Sequence, residues 1–314
     1  MKILLTTTSF QDTPGRHQEL LYSQGFEIDK LRGPITEAEL LPIIANYDAV
    51  ICGDDEYTEA VIAKGVAGKL KYISKYGVGL DKIDLDAAKK YGIPVTNCPG
   101  VNQISVAEHV LALLFTFSRH IHLEYNVTQQ GKWKRYVGNE LFGKTIGVFG
   151  LGSVGKELAK KCKALGLYVK VADKFLNEEF VKEHDFEVCD SIDEMIASVD
   201  ILSLHVPHTP ETEHIINAHL LNKVAKKNLI IVNTSRGKLV EKKAILSALD
   251  NGILKGYLTD VLDVEPMIEN HPFIGVDNII ITPHIGSRTY ESVQRQGTMA
   301  VKNLLELIKL NYEL

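Results

Sequence analysis

The sequence has little that would indicate a disulfide-stabilised or metal-binding protein. Its four cysteines are widely separated and include no Cys-x-x-Cys pair: Cys52, Cys98, Cys162 and Cys189. This spacing argues against a disulfide framework or a zinc site and favours buried thiols in a reducing cytoplasm. The histidine pairs at 120/122 and 205/208 have no third ligand at a suitable spacing. No metal is therefore predicted.

Long apolar runs and an excess of basic charge are also absent. No apolar run approaches the ~20 residues needed to span a bilayer, and Met1–Thr8 enters a strand without the features of a signal peptide. With 35 basic and 40 acidic residues, the formal net charge is -5. We therefore expect a cytoplasmic protein without nucleic-acid or membrane partners. We also expect no regulatory domain, since nothing follows Leu314.

The most informative stretch that is present is Thr145–Gly155, which reads TIGVFGLGSVG. It predicts a short buried strand, a glycine turn and the first turn of a helix. Gly150 allows the tight turn, Gly152 lets the backbone approach a pyrophosphate, and Gly155 lets helix and strand pack closely. The pyrophosphate would accept hydrogen bonds from free N–H groups at the helix start. The stretch therefore predicts a dinucleotide site.

The residue that ends the following strand indicates which dinucleotide binds. The apolar strand Leu167–Ala172 is followed by Asp173, whose carboxylate is placed to accept hydrogen bonds from the adenosine ribose. A carboxylate there would repel the 2′-phosphate of NADP, although the adjacent Lys174 weakens this argument. The sequence therefore favours NAD.

Strand-like and helix-like segments alternate along the chain, and 314 residues suit two domains. About 100 residues of one α/β unit precede the glycine motif, a long apolar helix is predicted over Ser105–His122, and a terminal helix over Tyr290–Leu310. We therefore predict an α/β fold of two doubly wound parallel-sheet domains. A Rossmann NAD domain (100–287) would be inserted into a flavodoxin-like substrate domain (1–99 plus 288–314).

Three polar residues each follow a predicted strand of the unit that begins with the glycine motif. Open α/β sheets bind ligands at such strand ends. Arg236 can present a bidentate fork to a carboxylate. His284 can exchange a proton near neutral pH, and Glu265 can stabilise and orient the charged imidazole. Each also has a structural interpretation: a surface salt bridge for Arg236, a helix cap for Glu265 and a backbone hydrogen bond for His284.

These residues complete a resemblance that extends over nearly the whole chain. It is carried by the glycine motif, the three polar segments, Tyr76–Asp84, Asn97–Gly100 and Ser105–His109. The chain resembles the D-isomer-specific 2-hydroxyacid dehydrogenases, the family of phosphoglycerate dehydrogenase and hydroxypyruvate reductase. The resemblance implies that Arg236 holds the substrate carboxylate, His284 is the acid/base and Glu265 supports it.

The resemblance also implies further roles. Val78 and Gly79 would offer backbone N–H groups to the substrate carboxylate across an interdomain cleft, Asp260 would lie near the nicotinamide carboxamide, and the Ser105–His122 helix would form a homodimer interface. The full set of predicted substrate residues is Tyr76, Val78, Gly79, Arg236 and His284. The full set of predicted cofactor residues is Gly150, Gly152, Ser153, Val154, Gly155, Asp173, His205, Thr234, Asp260 and Gly286.

One loop departs from phosphoglycerate dehydrogenases, which often carry phosphate-binding arginines after the third strand. Here the loop is Gly53–Tyr57, with acids at 54, 55 and 56. Acids facing the substrate would repel a phosphate, whereas acids facing solvent would not. A compensating charge could come from Lys75, or from a partner subunit through Lys132, Lys134 or Arg135. An unphosphorylated substrate such as hydroxypyruvate or glyoxylate is favoured without excluding phosphohydroxypyruvate.

Two functions from different classes fit this sequence. The first is NAD(H)-dependent interconversion of a small 2-oxoacid and its D-2-hydroxyacid. The second is a dinucleotide-sensing interaction protein, like the transcriptional corepressors that share this fold and keep the catalytic residues. The chain has no long disordered flanks for recruiting partners, which favours the enzyme.

Overall fold

Residues 1–224 and 228–312 are described by the computed structural model, and the chain divides into two units. The first unit consists of Met1–Asn102 and Arg288–Leu314, and the second consists of Gln103–Ser287. Each unit contains a parallel sheet, and the predicted α/β class is confirmed.

The sheet of the first unit has the strand order β2-β1-β3-β4-β5. Its strands are β1 (Lys2–Leu5), β2 (Glu27–Lys30), β3 (Ala49–Cys52), β4 (Tyr72–Lys75) and β5 (Val95–Thr96). All residues of β3 and β4 are buried, as expected for parallel strands that are covered on both faces. This order is the flavodoxin-like form of a doubly wound sheet.

Helices cover this sheet and supply the rest of its core. They are α1 (Thr8–Asp12), α2 (Arg16–Tyr22), α3 (Glu37–Leu40), α4 (Glu59–Val66), α5 (Leu85–Lys90) and α13 (Tyr290–Tyr312), with a 3₁₀ turn at Ile44–Asn46. The terminal helix α13 belongs to this unit because the Ser74 hydroxyl donates to the Ala300 carbonyl and the Asn303 amide donates to the Asn97 carbonyl. Apolar residues of α13 also join the core of Ile3, Leu5 and Ile51.

The sheet of the second unit has the order β12-β11-β10-β9-β6-β7-β8, and its pairings are parallel. Its strands are β6 (Thr145–Phe149), β7 (Tyr168–Ala172), β8 (Glu187–Val188), β9 (Ile201–Leu204), β10 (Leu229–Asn233), β11 (Leu254–Thr259) and β12 (Ile279–Ile281). The strand order reverses at β6, between β7 and β9, as in a Rossmann sheet. Ligands of such sheets bind outside the carboxyl ends of the strands at this reversal.

The helices of the second unit lie on both sides of its sheet, over two apolar cores. They are α6 (Gln103–Ser118), α7 (Ile121–Gln129), α8 (Ser153–Ala164), α9 (Glu178–Glu183), α10 (Ile192–Ser198), α11 (Ala218–Leu221) and α12 (Lys242–Asp250), with a 3₁₀ turn at Gly237–Leu239.

The predicted helix over Ser105–His122 is wrong at its carboxyl end. Helix α6 stops at Ser118, and His120 has a φ of 54° before α7 begins at Ile121. A residue in the left-handed region cannot continue a right-handed helix. The sequence has no glycine or proline there that would have indicated the break.

No helix among the described residues is long and apolar enough to cross a membrane. No three histidine, cysteine or acidic side chains of residues 1–224 and 228–312 come together as a possible metal site.

Candidate active site

The glycine motif forms the turn between β6 and α8. An added Cβ at Gly155 would lie 2.0 Å from the Gly150 carbonyl oxygen, so only glycine lets the helix start this close to the strand. The same construction at Gly152 meets no atom within 4 Å, so the start of the helix faces open space. The predicted residues Ser153 and Val154 are the first two of α8, where backbone N–H groups have no partner within the helix. These features fit a bound pyrophosphate.

Asp173 lies just beyond β7 and is tied to the glycine turn. Its Oδ2 accepts a hydrogen bond from the Leu151 N–H (2.5 Å), and its Oδ1 accepts one from the Phe175 N–H (2.7 Å). The carboxylate therefore holds the turn against the end of the neighbouring strand. Because each carboxylate oxygen has a further lone pair, Asp173 can also accept a ribose hydroxyl.

His205 follows β9, and desolvation lowers the pKa of its imidazole to about 4. The ring is therefore neutral at physiological pH, and its Nε2 lies 2.8 Å from the Ser203 hydroxyl. Thr234, just after β10, has a buried hydroxyl with no hydrogen-bond partner among the described residues. An unpaired buried hydroxyl is costly unless a ligand satisfies it, so Thr234 also fits a cofactor site.

Arg236 is presented by a short turn that begins at the end of β10. The buried Asn233 side chain closes the turn, because its Nδ2 donates to the Arg236 carbonyl (2.9 Å) and its Oδ1 accepts from the Ser235 N–H (3.0 Å). Arg236 Nη1 donates to the Ser235 carbonyl (2.7 Å). The turn fixes the start of the arginine side chain at the carboxyl edge of the sheet.

His284 and Glu265 form a direct pair at the same edge. His284 Nδ1 lies 2.7 Å from Glu265 Oε2, and the two side chains are 37% and 33% exposed. Glu265 Oε1 accepts a hydrogen bond from the Leu262 N–H (2.8 Å), so both carboxylate oxygens are occupied. His284 has a φ of 54°, an uncommon conformation for a residue other than glycine. The structure thus brings the predicted catalytic side chains of His284 and Glu265 together.

Asp260 braces the loop that carries His284. Its Oδ1 accepts hydrogen bonds from the Thr282 hydroxyl (2.5 Å) and the Ile285 N–H (2.9 Å), and its Oδ2 accepts one from the Gly286 N–H (2.7 Å). Its backbone carbonyl accepts from the His284 N–H (2.9 Å). These bonds hold the left-handed turn at His284 from both sides.

The charge of Asp260 is maintained despite its burial. Burial raises the pKa of this carboxyl, but hydrogen bonds from His109, Thr282 and the loop backbone outweigh that effect, so the pKa lies below its ordinary value. His109 Nε2, on α6, lies 3.3 Å from Asp260 Oδ1 and 2.9 Å from the Thr282 hydroxyl. His109 was not predicted as part of this site, although the segment Ser105–His109 carries the family resemblance. Asp260 was predicted to contact only the cofactor.

The predicted substrate residues of the first unit lie in the loop after β4. Tyr76 is buried, whereas Val78 is exposed and its carbonyl accepts a hydrogen bond from the Asn97 side chain (2.7 Å). The Gly77 carbonyl accepts from the Cys98 N–H (2.8 Å). The loop after β5, at the carboxyl edge of this sheet, therefore holds the 76–79 segment.

The three acids of the loop after β3 differ in their surroundings. Asp54 pairs with Lys75, an almost wholly buried lysine whose Nζ lies 2.6 Å from Asp54 Oδ1. Asp55 is fully buried and accepts hydrogen bonds from the Ile35 and Gly53 N–H groups. Glu56 accepts from the Glu37 N–H (3.2 Å) and pairs with Lys82 (3.3 Å). The charge of Lys75 is therefore matched by a carboxylate of this loop.

A Rossmann sheet with a glycine turn and an acid after its second strand defines a dinucleotide-binding α/β protein. The family model for the D-isomer specific 2-hydroxyacid dehydrogenase, NAD binding domain, matches residues 111–286. The chain belongs to this family, and the resemblance seen in the sequence is confirmed. Its second unit contains the family's NAD-binding domain, which confirms NAD as the cofactor.

Several relatives cover almost the whole chain. It is 37% identical over 312 residues to a D-3-phosphoglycerate dehydrogenase of Methanocaldococcus jannaschii, covering 98% of this chain and 58% of that protein. It is 36% identical over 285 residues to a glyoxylate reductase of Thermofilum pendens, covering 88% and 83%. The chain thus spans about half the length of the phosphoglycerate dehydrogenases that it matches.

Solved structures show the same fold. A protein from Thermus thermophilus aligns with a TM-score of 0.87 at 34% identity, covering 98% of this chain and 97% of that one. The apo-structure of D-lactate dehydrogenase from Escherichia coli aligns with a TM-score of 0.85 at 27% identity, covering 98% and 97%. Relatives with these names give no support to the alternative of a dinucleotide-sensing interaction protein.

Proposed function

We propose that this protein interconverts a small 2-oxoacid and its D-2-hydroxyacid with NAD(H). The observation that carries the proposal is the His284–Glu265 pair, 2.7 Å apart, at the carboxyl edge of a sheet that also carries the glycine turn and Arg236. Ligands of doubly wound sheets bind at this edge. The initial rate of NADH oxidation with a panel of 2-oxoacids tests the proposal.

In the proposed reaction the cofactor transfers a hydride and the protein transfers a proton. When bound, NADH supplies the hydride that adds to the carbonyl carbon of the 2-oxoacid. His284 donates a proton to the carbonyl oxygen as its π bond breaks, and it removes that proton in the reverse direction. Glu265 stabilises the imidazolium and orients the ring through Nδ1, so Nε2 is the atom that exchanges the proton.

The substrate carboxylate would be bound by side-chain and backbone donors. Arg236 offers a planar pair of N–H groups whose geometry matches a carboxylate. We assign the backbone N–H groups of Val78 and Gly79 to the same carboxylate, following the family resemblance. Tyr76, which precedes them in the same loop, is proposed to line the substrate site.

The cofactor residues are proposed from the fit of the second unit to NAD. Gly150, Gly152, Ser153, Val154 and Gly155 would hold the pyrophosphate, as the open space at the start of α8 suggests. His205 and the unpaired hydroxyl of Thr234 would contact the remainder of the dinucleotide. Asp260 and Gly286 are joined by a hydrogen bond from the Gly286 N–H to the Asp260 carboxylate. Both would lie near the nicotinamide carboxamide.

We expect the protein to prefer NADH over NADPH, because the Asp173 carboxylate would repel a 2′-phosphate. Asp173→Asn should narrow the preference, since asparagine keeps a hydrogen-bond acceptor and removes the charge. The ratio of kcat/KM for the two cofactors is the measurement. Asp277→Ala, which removes an exposed carboxylate from the same unit, is the control and should leave the ratio unchanged. Equal use of both cofactors by the wild type would show this interpretation of Asp173 to be wrong.

Among substrates, we expect unphosphorylated 2-oxoacids to be used better than phosphohydroxypyruvate. The reason is that Lys75, the buried cation at the end of β4, is already paired with Asp54. The kcat/KM values for hydroxypyruvate and phosphohydroxypyruvate measure this preference, and Asp54→Asn should reduce it by releasing the lysine. A large preference of the wild type for the phosphorylated acid would overturn the prediction.

We also propose that the protein is a homodimer in the cytoplasm. The segment from α6 to β6 exposes a set of large apolar side chains: Phe115, Ile121, Tyr125, Trp133, Val137 and Phe142. Exposed apolar surface commonly marks protein interfaces. The four cysteines are buried and unpaired, which suits a reducing compartment. Light scattering of the full chain measures the oligomeric state.

A further inference from the structure

We infer that Asp263 is a positioning residue that holds the Arg236 and Glu265 segments together through an ion pair with Lys242. Asp263 lies two residues before Glu265, and Lys242 is the first residue of α12, six positions after Arg236. The inference rests on the proposed function, because it concerns the placement of the residues proposed to act on the substrate.

The ion pair joins the two segments at close range. Lys242 Nζ lies 2.6 Å from Asp263 Oδ2, and both side chains are partly buried. Burial raises the pKa of the Asp263 carboxyl, but the effect of the adjacent Lys242 ammonium, which lowers it, is larger. The pKa therefore lies below its ordinary value. The carboxylate is therefore charged near neutral pH, and the pair persists under assay conditions.

The backbones of the two segments are also in direct contact. A Cβ added to Gly237 would lie 2.0 Å from the Leu262 carbonyl carbon and 2.2 Å from the Asp263 nitrogen. Glycine is required here because the turn that presents Arg236 packs on the Leu262–Asp263 peptide itself. A movement of Asp263 would therefore be transmitted to Arg236 without any intervening side chain.

The preceding peptide, Val261–Leu262, sets the position of the glutamate. The Leu262 N–H donates to Glu265 Oε1 at 2.8 Å, and Glu265 Oε2 contacts His284 Nδ1 at 2.7 Å. Asp263 thus lies between the residue that fixes the Glu265 carboxylate and Glu265 itself. Loss of the ion pair should loosen the hold of Glu265 on the imidazole.

A buried histidine completes the surroundings of Asp263. The His271 Nδ1 accepts a hydrogen bond from the Phe273 N–H (3.3 Å), so in the neutral ring the proton lies on Nε2. That Nε2 is 3.6 Å from Asp263 Oδ1. Lys242 pairs with Oδ2, whereas His271 packs beside Oδ1 at more than hydrogen-bond distance. The close ion pair at Oδ2 therefore orients the Asp263 carboxylate.

The test compares Asp263→Asn and Lys242→Met with the wild type. Each variant should lower kcat for 2-oxoacid reduction about 10- to 100-fold, because small displacements of reacting groups have effects of that size. NADH binding should be unchanged. The pH above which reduction declines should move downward, since the imidazolium loses an oriented carboxylate. The double variant should lose no more activity than the more impaired single one, because both changes break one interaction.

Two matched controls accompany these variants. Lys242→Arg keeps the ion pair and should retain most of the activity. Lys243→Met removes the adjacent, exposed lysine and should behave like the wild type. If Asp263→Asn fails to fold, Lys242→Met decides the question, because Lys242 is at the start of a helix and only partly buried.

The outcomes separate this inference from the proposed function. A wild type that reduces no 2-oxoacid would contradict the proposed function. An active wild type, with Lys242→Met unchanged in kcat and in pH profile, would overturn the positioning role of Asp263. A lower melting temperature with wild-type kcat would overturn it equally, since the pair would then serve stability alone.

Discussion

Replacing His284 by alanine is expected to lower kcat for 2-oxoacid reduction about 10²- to 10⁴-fold, the range typical of a placed general acid or base. The imidazole is held 2.7 Å from Glu265 in a backbone conformation that Asp260 secures on both sides. The hydride transfer leaves a developing alkoxide that needs a proton, and alanine has none to give. NADH binding should be retained, because the glycine turn is at β6 and is not altered.

The control for this variant is His219→Ala, which removes an exposed histidine from the same unit. It should keep wild-type activity, so any loss in His284→Ala reflects the position and not the number of imidazoles. Wild-type kcat in His284→Ala would remove the proposed mechanism.

The second large effect is expected for Arg236→Lys. Lysine keeps the positive charge but loses the planar pair of donors that matches a carboxylate. One charge-assisted hydrogen bond contributes about 1.5–3 kcal/mol, which corresponds to a loss of roughly 10- to 150-fold in kcat/KM. Substrate KM should rise, whereas NADH binding should be retained. Steady-state kinetics at varied 2-oxoacid concentration measures the change in substrate KM.

Arg16→Lys is the matched control, because Arg16 is exposed at the start of α2 and has no proposed role in binding. It should not change kcat/KM. If Arg236→Lys were as efficient as the wild type, Arg236 would be a structural residue of its turn.

The parts of this protein that the sequence predicts well are those encoded locally. The glycine turn and Asp173 lie on consecutive segments, and their positions follow from strand, turn and helix signals within a short stretch. The placement of Arg236, Glu265 and His284 after strands also follows from local patterns, because parallel strands bring their carboxyl ends to one edge.

The parts that the sequence did not predict depend on contacts between distant residues. Asp260 was assigned to the cofactor, yet its carboxylate accepts four groups from α6 and the 282–286 loop. The pairing of Asp54 with Lys75 crosses from one strand end to the next, so counting acids in the loop overestimated its free negative charge. The break at His120 could not be predicted, because no glycine or proline marks it. The left-handed conformation of this histidine is set by its surroundings and not by its own preference.

The central claim is that this chain reduces a 2-oxoacid with NADH and that His284 supplies the proton. The most direct measurement is the initial rate of NADH oxidation by wild type and His284→Ala with glyoxylate, hydroxypyruvate and phosphohydroxypyruvate, beside NADH binding by both proteins. We predict turnover of at least one acid by the wild type, a loss of about 10²- to 10⁴-fold in the variant, and equal NADH binding. Tight NADH binding by the wild type with no turnover of any acid would contradict the claim.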